Sequence, residues 1–375
     1  MKSILFMPFL QISSGHHHVA DGIMEGLQEI DDSFQCEKVD ILSYSYGKTE
    51  AFVSAVYLKW IHIFPSFYSW IYRKSVFENK VNDKRFRLYE LLFLFWMKKL
   101  IEEKNPRLII CTHALPSYML SQIKQRTKQS TPVINVYTDY FINHIWGIKE
   151  IDYHFVPSSM MKDYLIDRGI ESNRIHVTGI PIHPKLKENI KENIKKTKKR
   201  NKYSILLSGG NLGTGELKKF VQKLQPKGHI QYKVLCGKNA KLFQFIKELE
   251  NPWIIPLSYI SSKEEMNLLY HESDAIITKP GGVTISECLF KKLPIFVYHS
   301  LPGQEELNLR FLKKEGLVFH LEGWRRQSNL EEQIQNTLDS KQQNKGLSDS
   351  LNAYHEELAN EDISEAINQI LIRYG

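Results

Sequence analysis

The sequence predicts an α/β protein of two doubly wound domains that face each other across a cleft. Three observations predict it. Short apolar runs alternate with helical patterns through both halves, which is the rhythm of a parallel sheet covered on both faces. A lysine-rich stretch from Lys185 to Lys202 interrupts that rhythm once, with nine basic residues against two acidic ones. Glycine turns stand between apolar run and helical pattern, at the carboxyl ends of strands where open sheets bind ligands.

The 375 residues suffice for two or three domains. With 42% apolar and 25% charged residues, the composition is globular rather than disordered. In the first half "SILFMPF" is the first strand. Val19, Ile23, Leu27 and Ile30 then recur at helical spacing and form one apolar stripe. "RLIICTH", "PVINVYT", "YHFVP" and "RIHVTG" continue the strands, with helical segments such as "LYELLFLFWMKKLIEEK" between them. These make a first domain over residues 1–184. Residues 185–202 read as a solvated basic linker, with a local net charge of +7 against +8 for the whole chain. Residues 203–375 form a second domain, with strands in "YSILLSGG", "YKVLCGK", "WIIPLSY", "DAIITKP" and "LPIFVYH". Its first helix buries Leu217, Phe220, Val221 and Leu224. The last helix, from about Glu361 to Tyr374, can pack on either domain.

Cys36, Cys111, Cys236 and Cys288 show no C-x-x-C spacing, so neither a zinc site nor a redox pair is expected. Free, mostly buried thiols fit a reducing cytoplasm. "MKSILFMPFL" lacks a small-residue cleavage site and reads as a strand, not a signal peptide. "WIHIFPSFYSWIY" has 13 residues and a proline. It is too short to span a bilayer, which takes roughly 20.

"TKPGGVTISE" carries the first chemistry. Gly281 and Gly282 follow the strand "DAIIT" and open a helix. Glycine permits positive φ and close approach of a ligand to the backbone, and a helix start offers unpaired N–H groups and a positive dipole end. Together these suit phosphate. Thr284 adds a hydroxyl, and Glu287, one turn on, suits the vicinal hydroxyls of a ribose. Taken singly, Pro-Gly-Gly is also ordinary turn chemistry. A second loop of this kind follows the strand at Ser208, Gly209 and Gly210, without the G-x-G-x-x-G spacing of a dinucleotide site. "LPGQEELN" offers Gln304, Glu305 and Asn308, whose amides and carboxylate suit sugar hydroxyls.

"ITKPGGVTISE" followed by "PGQEELN" resembles the donor signature of the inverting glycosyltransferase family that holds monogalactosyldiacylglycerol synthases and processive diacylglycerol β-glucosyltransferases. "SSGHHHVADGI" resembles that family's Gly-His loop, and "TDYFINHIWGIKEIDYHFVPSSMMKDYLIDRGI" with "RIHVTGIPIHP" resembles its bacterial members. The resemblance runs from about Ser3 to Val318. It implies glycosyltransferase family 28 and the two-Rossmann-domain architecture called GT-B. By resemblance the donor is a UDP-sugar, and no further cofactor is needed. Ser208 and Gly209 approach its diphosphate, Gly237 and Lys238 line the same site, and the backbone at Tyr259 and Ile260 pairs with uracil. Gly281, Gly282 and Thr284 take the phosphates, Glu287 the ribose, and Gln304 with Glu305 the donor sugar. No carboxylate cluster has metal-ligand spacing, which fits a diphosphate neutralised by helix dipoles.

His16 is the general base in this reading, kept neutral by its helix N-terminus. Asp139 is the next candidate, an orienting or acceptor-side carboxylate; it also suits a cap after "VINVY". Three successive histidines point about 100° apart on a helix and cannot readily share one ion. Ser13 and Ser14 stand where the family's loop is usually richer in glycine, so the resemblance speaks more to the donor than to the acceptor. Trp60, Phe67 and Trp70 lie beside Lys59, Arg73 and Lys74. Such a stretch suits a lipid interface or a helical hairpin packed in the first domain. The expected partners are a UDP-sugar and a lipid acceptor, which the resemblance implies is diacylglycerol, at an anionic membrane surface. The expected place is cytoplasmic, peripheral on the inner face of the cell membrane. A polyprenyl-linked or other glycan acceptor, and UDP-sugar 2-epimerisation, are the alternatives. Nucleic-acid binding through the basic linker leaves both donor loops without a use and is not expected.

Overall fold

The computed structural model describes residues 2–9, 15–47, 85–127, 129–188, 190, 202–210, 215–358 and 362–374. They fall into two units, Met1–His183 with Glu357–Gly375, and Pro184–Glu356.

The first unit holds a six-stranded sheet in the order β2-β1-β3-β4-β5-β6. Its strands are β1 (Lys2–Met7), β2 (Phe34–Lys38), β3 (Leu108–Cys111), β4 (Val133–Val136), β5 (Tyr153–Val156) and β6 (Ile175–Val177). Every pairing is parallel. The central strands β3, β4 and β5 are buried along their whole length, as a sheet covered on both faces requires. The helix Gly15–Ile30 buries Val19, Ile23 and Leu27. Ile30, at its last turn, is exposed rather than part of that stripe. The terminal helix Ile363–Arg373, capped by Asp362 accepting from the Ser364 N–H at 2.8 Å, belongs to this unit and packs beside Gly15–Ile30.

The second unit repeats the plan, with the order β12-β11-β10-β7-β8-β9. Its strands are β7 (Tyr203–Ser208), β8 (Ile230–Leu235), β9 (Ile254–Leu257), β10 (Ala275–Thr278), β11 (Ile295–Val297) and β12 (Phe319–His320), again all parallel. Leu217, Phe220, Val221 and Leu224 are buried against the sheet, and Phe220 packs its ring on Tyr298 and Trp324 at 4.8 and 5.0 Å.

In each sheet the winding reverses beside the first strand. From β1 the chain steps out to β2, then crosses to β3 on the other side; from β7 it runs out to β9, then crosses to β10. The carboxyl ends of β1 with β3, and of β7 with β10, are therefore the topological switch points where doubly wound sheets bind ligands. Two strands go beyond the sequence-based expectation. β2, "FQCEK", and the two-residue β12 are sheet edges. An edge strand is half solvated, so β2 buries only Phe34 and carries no continuous apolar run. Cys111, Cys236 and Cys288 are buried free thiols, and Cys36 is half-buried on β2.

Candidate active site

In the first unit, three neighbouring strands converge on one imidazole. His16 lies in the first turn of the helix that follows β1. Its Nδ1 is 2.8 Å from the carbonyl oxygen of Thr112, just past β3, and 2.9 Å from Oγ1 of Thr138, just past β4. A carbonyl only accepts, so Nδ1 carries the proton and Nε2 keeps its lone pair. Burial pushes the His16 pKa below its ordinary value. The charge of Asp139 and the bond to Thr112 oppose that shift, and His17 adds to it. The group is thus a neutral imidazole with its basic nitrogen fixed in tautomer and direction. Asp139 lies half-buried in the bend after β4 and acts on His16 through its charge.

His113 completes this cluster, and the sequence reading passed over it. Its ring stands edge-on to His16 at 4.7 Å and stacks on Phe9 at 5.0 Å. Its Nδ1 accepts from the Leu115 N–H at 3.2 Å and caps the helix Ala114–Arg126. Burial holds it well below the ordinary histidine range. The available signal was a histidine directly after the apolar run "LIICT".

In the second unit the five predicted loops lie along the carboxyl edge of one sheet. Taken across the sheet, they follow β11 (Gln304, Glu305), β10 (Gly281, Gly282), β7 (Ser208, Gly209), β8 (Gly237, Lys238) and β9 (Tyr259, Ile260). The register Ala275↔Ile205 to Ile277↔Leu207 sets the two glycine loops side by side at the switch point. Gly209 is needed for space, because a Cβ there would come within 2.8 Å of Leu217. Gly210 has φ +79°, and its N–H donates to Ser208 Oγ at 3.3 Å.

Gly281 corrects the expectation of positive φ. Its φ is −77° and its ψ 132°, open to any residue, and a Cβ there would meet nothing within 4 Å. The bare backbone faces open space, and no side chain caps the helix Gly282–Phe290 that starts there. Asn308 is also corrected. It is buried and donates to the carbonyl of Pro280 at 3.0 Å, so it holds the turn rather than offering its amide to a sugar. Lys279 Nζ lies 3.7 Å from Glu305 Oε1, and Glu305 Oε2 accepts from the Leu301 N–H at 2.6 Å. Lys238 Nζ sits 5.1 Å from the ring centre of Tyr259, which is exposed. Thr284 is half-buried in the first turn of its helix.

Glu287 is buried. Its Oε2 accepts from the Tyr270 hydroxyl at 2.7 Å, and Lys263 Nζ is 3.9 Å from Oε1. Burial pushes its pKa up, against the pull of Lys263 and Tyr270. Tyr270 and Lys263 come from the helix Lys263–Glu272, and nothing local in the sequence pairs them with Glu287. Trp60, Phe67 and Trp70, and most of the 185–202 linker, lie outside the described residues. Among the described residues no group of three His, Cys, Asp or Glu side chains is placed to hold a metal ion.

Residues 16–182 match the family model of monogalactosyldiacylglycerol (MGDG) synthase, and residues 204–366 that of the glycosyltransferase family 28 C-terminal domain. The chain is 45% identical over 372 residues to the uncharacterized glycosyltransferase YkoN of Bacillus subtilis (strain 168), covering 99% of this chain and 98% of that one. It is 27% identical over 335 residues to a processive diacylglycerol beta-glucosyltransferase of Bacillus pumilus (strain SAFR-032), covering 87% and 86%. Among solved structures it is similar to Acinetobacter baumannii MurG, with TM-score 0.62 at 14% identity over 100% of both chains. It is also similar to a UDP-GlcNAc 2-epimerase from Neisseria meningitidis bound to UDP-GlcNAc, with TM-score 0.59 at 13% identity over 99% of this chain and 100% of that one. These two likenesses show the fold, the GT-B architecture.

Proposed function

The chain belongs to glycosyltransferase family 28, and on that premise we propose that it moves a hexosyl group from a UDP-sugar to diacylglycerol, with inversion. The observation that carries this reading is the pairing of β7 with β10, which sets two glycine loops side by side at a switch point. An uncapped helix start and an open backbone at Gly281 make that edge suited to a diphosphate. In this reading Ser208, Gly209, Gly281, Gly282 and Thr284 meet the diphosphate. Gly237 and Lys238 line it, the backbone of Tyr259 and Ile260 meets the base, Glu287 the ribose, and Gln304 with Glu305 the hexose.

The acceptor oxygen bonds to the anomeric carbon as the bond from that carbon to the UDP oxygen breaks. The acceptor proton passes to Nε2 of His16, and one such displacement inverts the carbon. The charge on departing UDP is met by helix N-termini and donors rather than by a bound ion, so a chelator should leave transfer unchanged. The diacylglycerol reading takes its support from relatives that bear that name. No helix among the described residues is long and apolar enough to cross a membrane, and the proposed place is peripheral, on the cytoplasmic face.

The test is UDP release across a panel of UDP-sugars, with diacylglycerol in detergent micelles, with polyprenyl phosphate, and with no acceptor. We expect release with diacylglycerol only. His16→Ala should lower turnover by about 10²–10⁴-fold and leave UDP affinity unchanged. Release only with the polyprenyl acceptor, or an isomerised UDP-sugar without acceptor, overturns the reading. Wild-type turnover in His16→Ala removes the base.

A further inference from the structure

We infer that Lys279 is a catalytic residue of the second unit, whose ammonium binds the β-phosphate of the UDP-sugar and meets the charge that gathers there as UDP leaves. The inference rests on the UDP-sugar reading above and adds the residue that faces the leaving group. Lys279 follows β10 and stands two residues before Gly281, where the helix Gly282–Phe290 starts. It is 9% exposed, and no other lysine or arginine among the described residues is buried. An ammonium carries three donors and is costly to bury unless they are used. Lys124, whose side chain is nearly as enclosed, donates to Asp152 Oδ2 at 2.5 Å and to the Thr131 carbonyl at 3.2 Å. Lys279 Nζ has Glu305 Oε1 at 3.7 Å, beyond hydrogen-bond reach. Its ammonium makes no hydrogen bond among the described residues.

Two features select a phosphate. The first is the local field. Lys279 stands beside two helix starts. Gly282–Phe290 follows it, and Glu305 lies in the first turn of Gln304–Lys314, which Asn308 ties to the Pro280 carbonyl at 3.0 Å. A helix start carries partial positive charge and disfavours a cation, so the ammonium adds to that field. Glu305 offsets part of it, but its Oε2 already accepts from the Leu301 N–H at 2.6 Å. The neighbouring His299 reports the same surroundings. Burial pushes its pKa below the ordinary value, and Lys279, Arg325 and Lys219 add to that shift against Glu216. A buried cation between helix starts is completed by an anion. The second feature is place. Lys279 links the open Gly281 backbone, assigned above to phosphate, with Glu305, assigned to the hexose. The group that joins a hexose to the rest of a UDP-sugar is the β-phosphate. When the bond from the anomeric carbon to the β-phosphate oxygen breaks, the electron pair stays on that oxygen, and the acceptor proton goes to His16 Nε2. A fixed ammonium at that oxygen stabilises the charge as it forms.

Titration calorimetry of the full chain with uridine, UMP and UDP tests the inference. Lys279→Met, close in length and uncharged, should weaken UDP binding about 10–100-fold, through loss of a charge-assisted hydrogen bond. UMP affinity should move less. Uridine affinity should stay at the wild-type value, which also shows that the variant is folded. With a UDP-hexose, the same variant should lower kcat as well as donor affinity. Wild-type UDP affinity in Lys279→Met overturns the inference. So does a weaker UDP-hexose affinity with UDP affinity unchanged, since Lys279 then serves only as the partner of Glu305. Equal losses for uridine and UDP in both Lys279→Met and Lys279→Gln overturn it as well, because the lysine then only holds the turn. A wild-type protein that binds UDP no tighter than uridine overturns the UDP-sugar reading itself, and that outcome needs no variant to be seen.

Discussion

Two buried glutamates have the same exposure and the same first partner, yet opposite character. Glu90 in the first unit and Glu287 in the second are each 8% exposed. Each accepts from a tyrosine hydroxyl at 2.7 Å, Tyr118 and Tyr270. Glu90 adds Arg85 at 2.6 Å and Arg126 at 2.9 Å, and with that its carboxyl is held down at about 2. Among the described residues Glu287 adds Lys263 alone, at 3.9 Å, and burial pushes its carboxyl up. A buried carboxylate with several charge-assisted partners is satisfied and structural. One left short of donors costs stability, and such groups cluster where a ligand completes them. Glu90 ties Arg85, Tyr118 and Arg126 into one clamp. Glu287 sits six residues behind the open Gly281 backbone, on the same helix.

The contrast yields crossed outcomes. Glu90→Ala should lower unfolding free energy by about 3 kcal/mol, because it removes charge-assisted bonds to two arginines and a phenol. Urea denaturation measures this, and the UDP affinity of the folded protein should not move. Glu287→Ala should weaken UDP binding by about 2 kcal/mol, read by titration calorimetry, with a smaller change in unfolding. If Glu287→Ala leaves UDP affinity intact and only destabilises, both glutamates are structural and the contrast is lost. Smaller still are the matched changes Tyr118→Phe and Tyr270→Phe, each about 1 kcal/mol. The first should appear in stability, the second in UDP affinity.

The same contrast carries over to pH dependence. The folded pKa of Glu90 is depressed to about 2 from an ordinary 4.5. Its contribution is therefore present above pH 4.5 and is lost as pH falls toward 2. Glu287 has a raised folded pKa, so the folded state holds its proton longer and stability falls as pH rises through that value. Glu90→Gln should flatten the acid side of the stability profile. Glu287→Gln should remove the decline on the other side. Denaturation midpoints across pH 3–7 distinguish the two, and the same slope change in both variants would contradict the opposite shifts.

Much of this was legible in the sequence. Ten of the strands were expected from apolar runs, because parallel strands buried on both faces leave continuous apolar segments. The glycine loops, His16 and Glu287 also stood out, since turn and helix-start chemistry is local. Strands β2 and β12 did not, because β2 buries a single apolar residue and β12 has only two residues, so neither carries such a run. What tertiary structure alone decided is who stands beside whom. Thr138 reaches His16 across 122 residues, and Tyr118 reaches Glu90 across 28. Tyr270 belongs to a different helix from Glu287, and Asn308 turns inward to the Pro280 carbonyl. The apolar pattern of Arg87–Lys104 marks a helix but not which side the core takes, and its outward Leu91 and Phe95 appear only once the sheet is in place. The physical reason is the crossover. Neighbouring parallel strands are joined by long crossovers, most often through a covering helix, so periodicity specifies an element and the face it buries, while partner identity depends on which distant strand end the winding brings alongside.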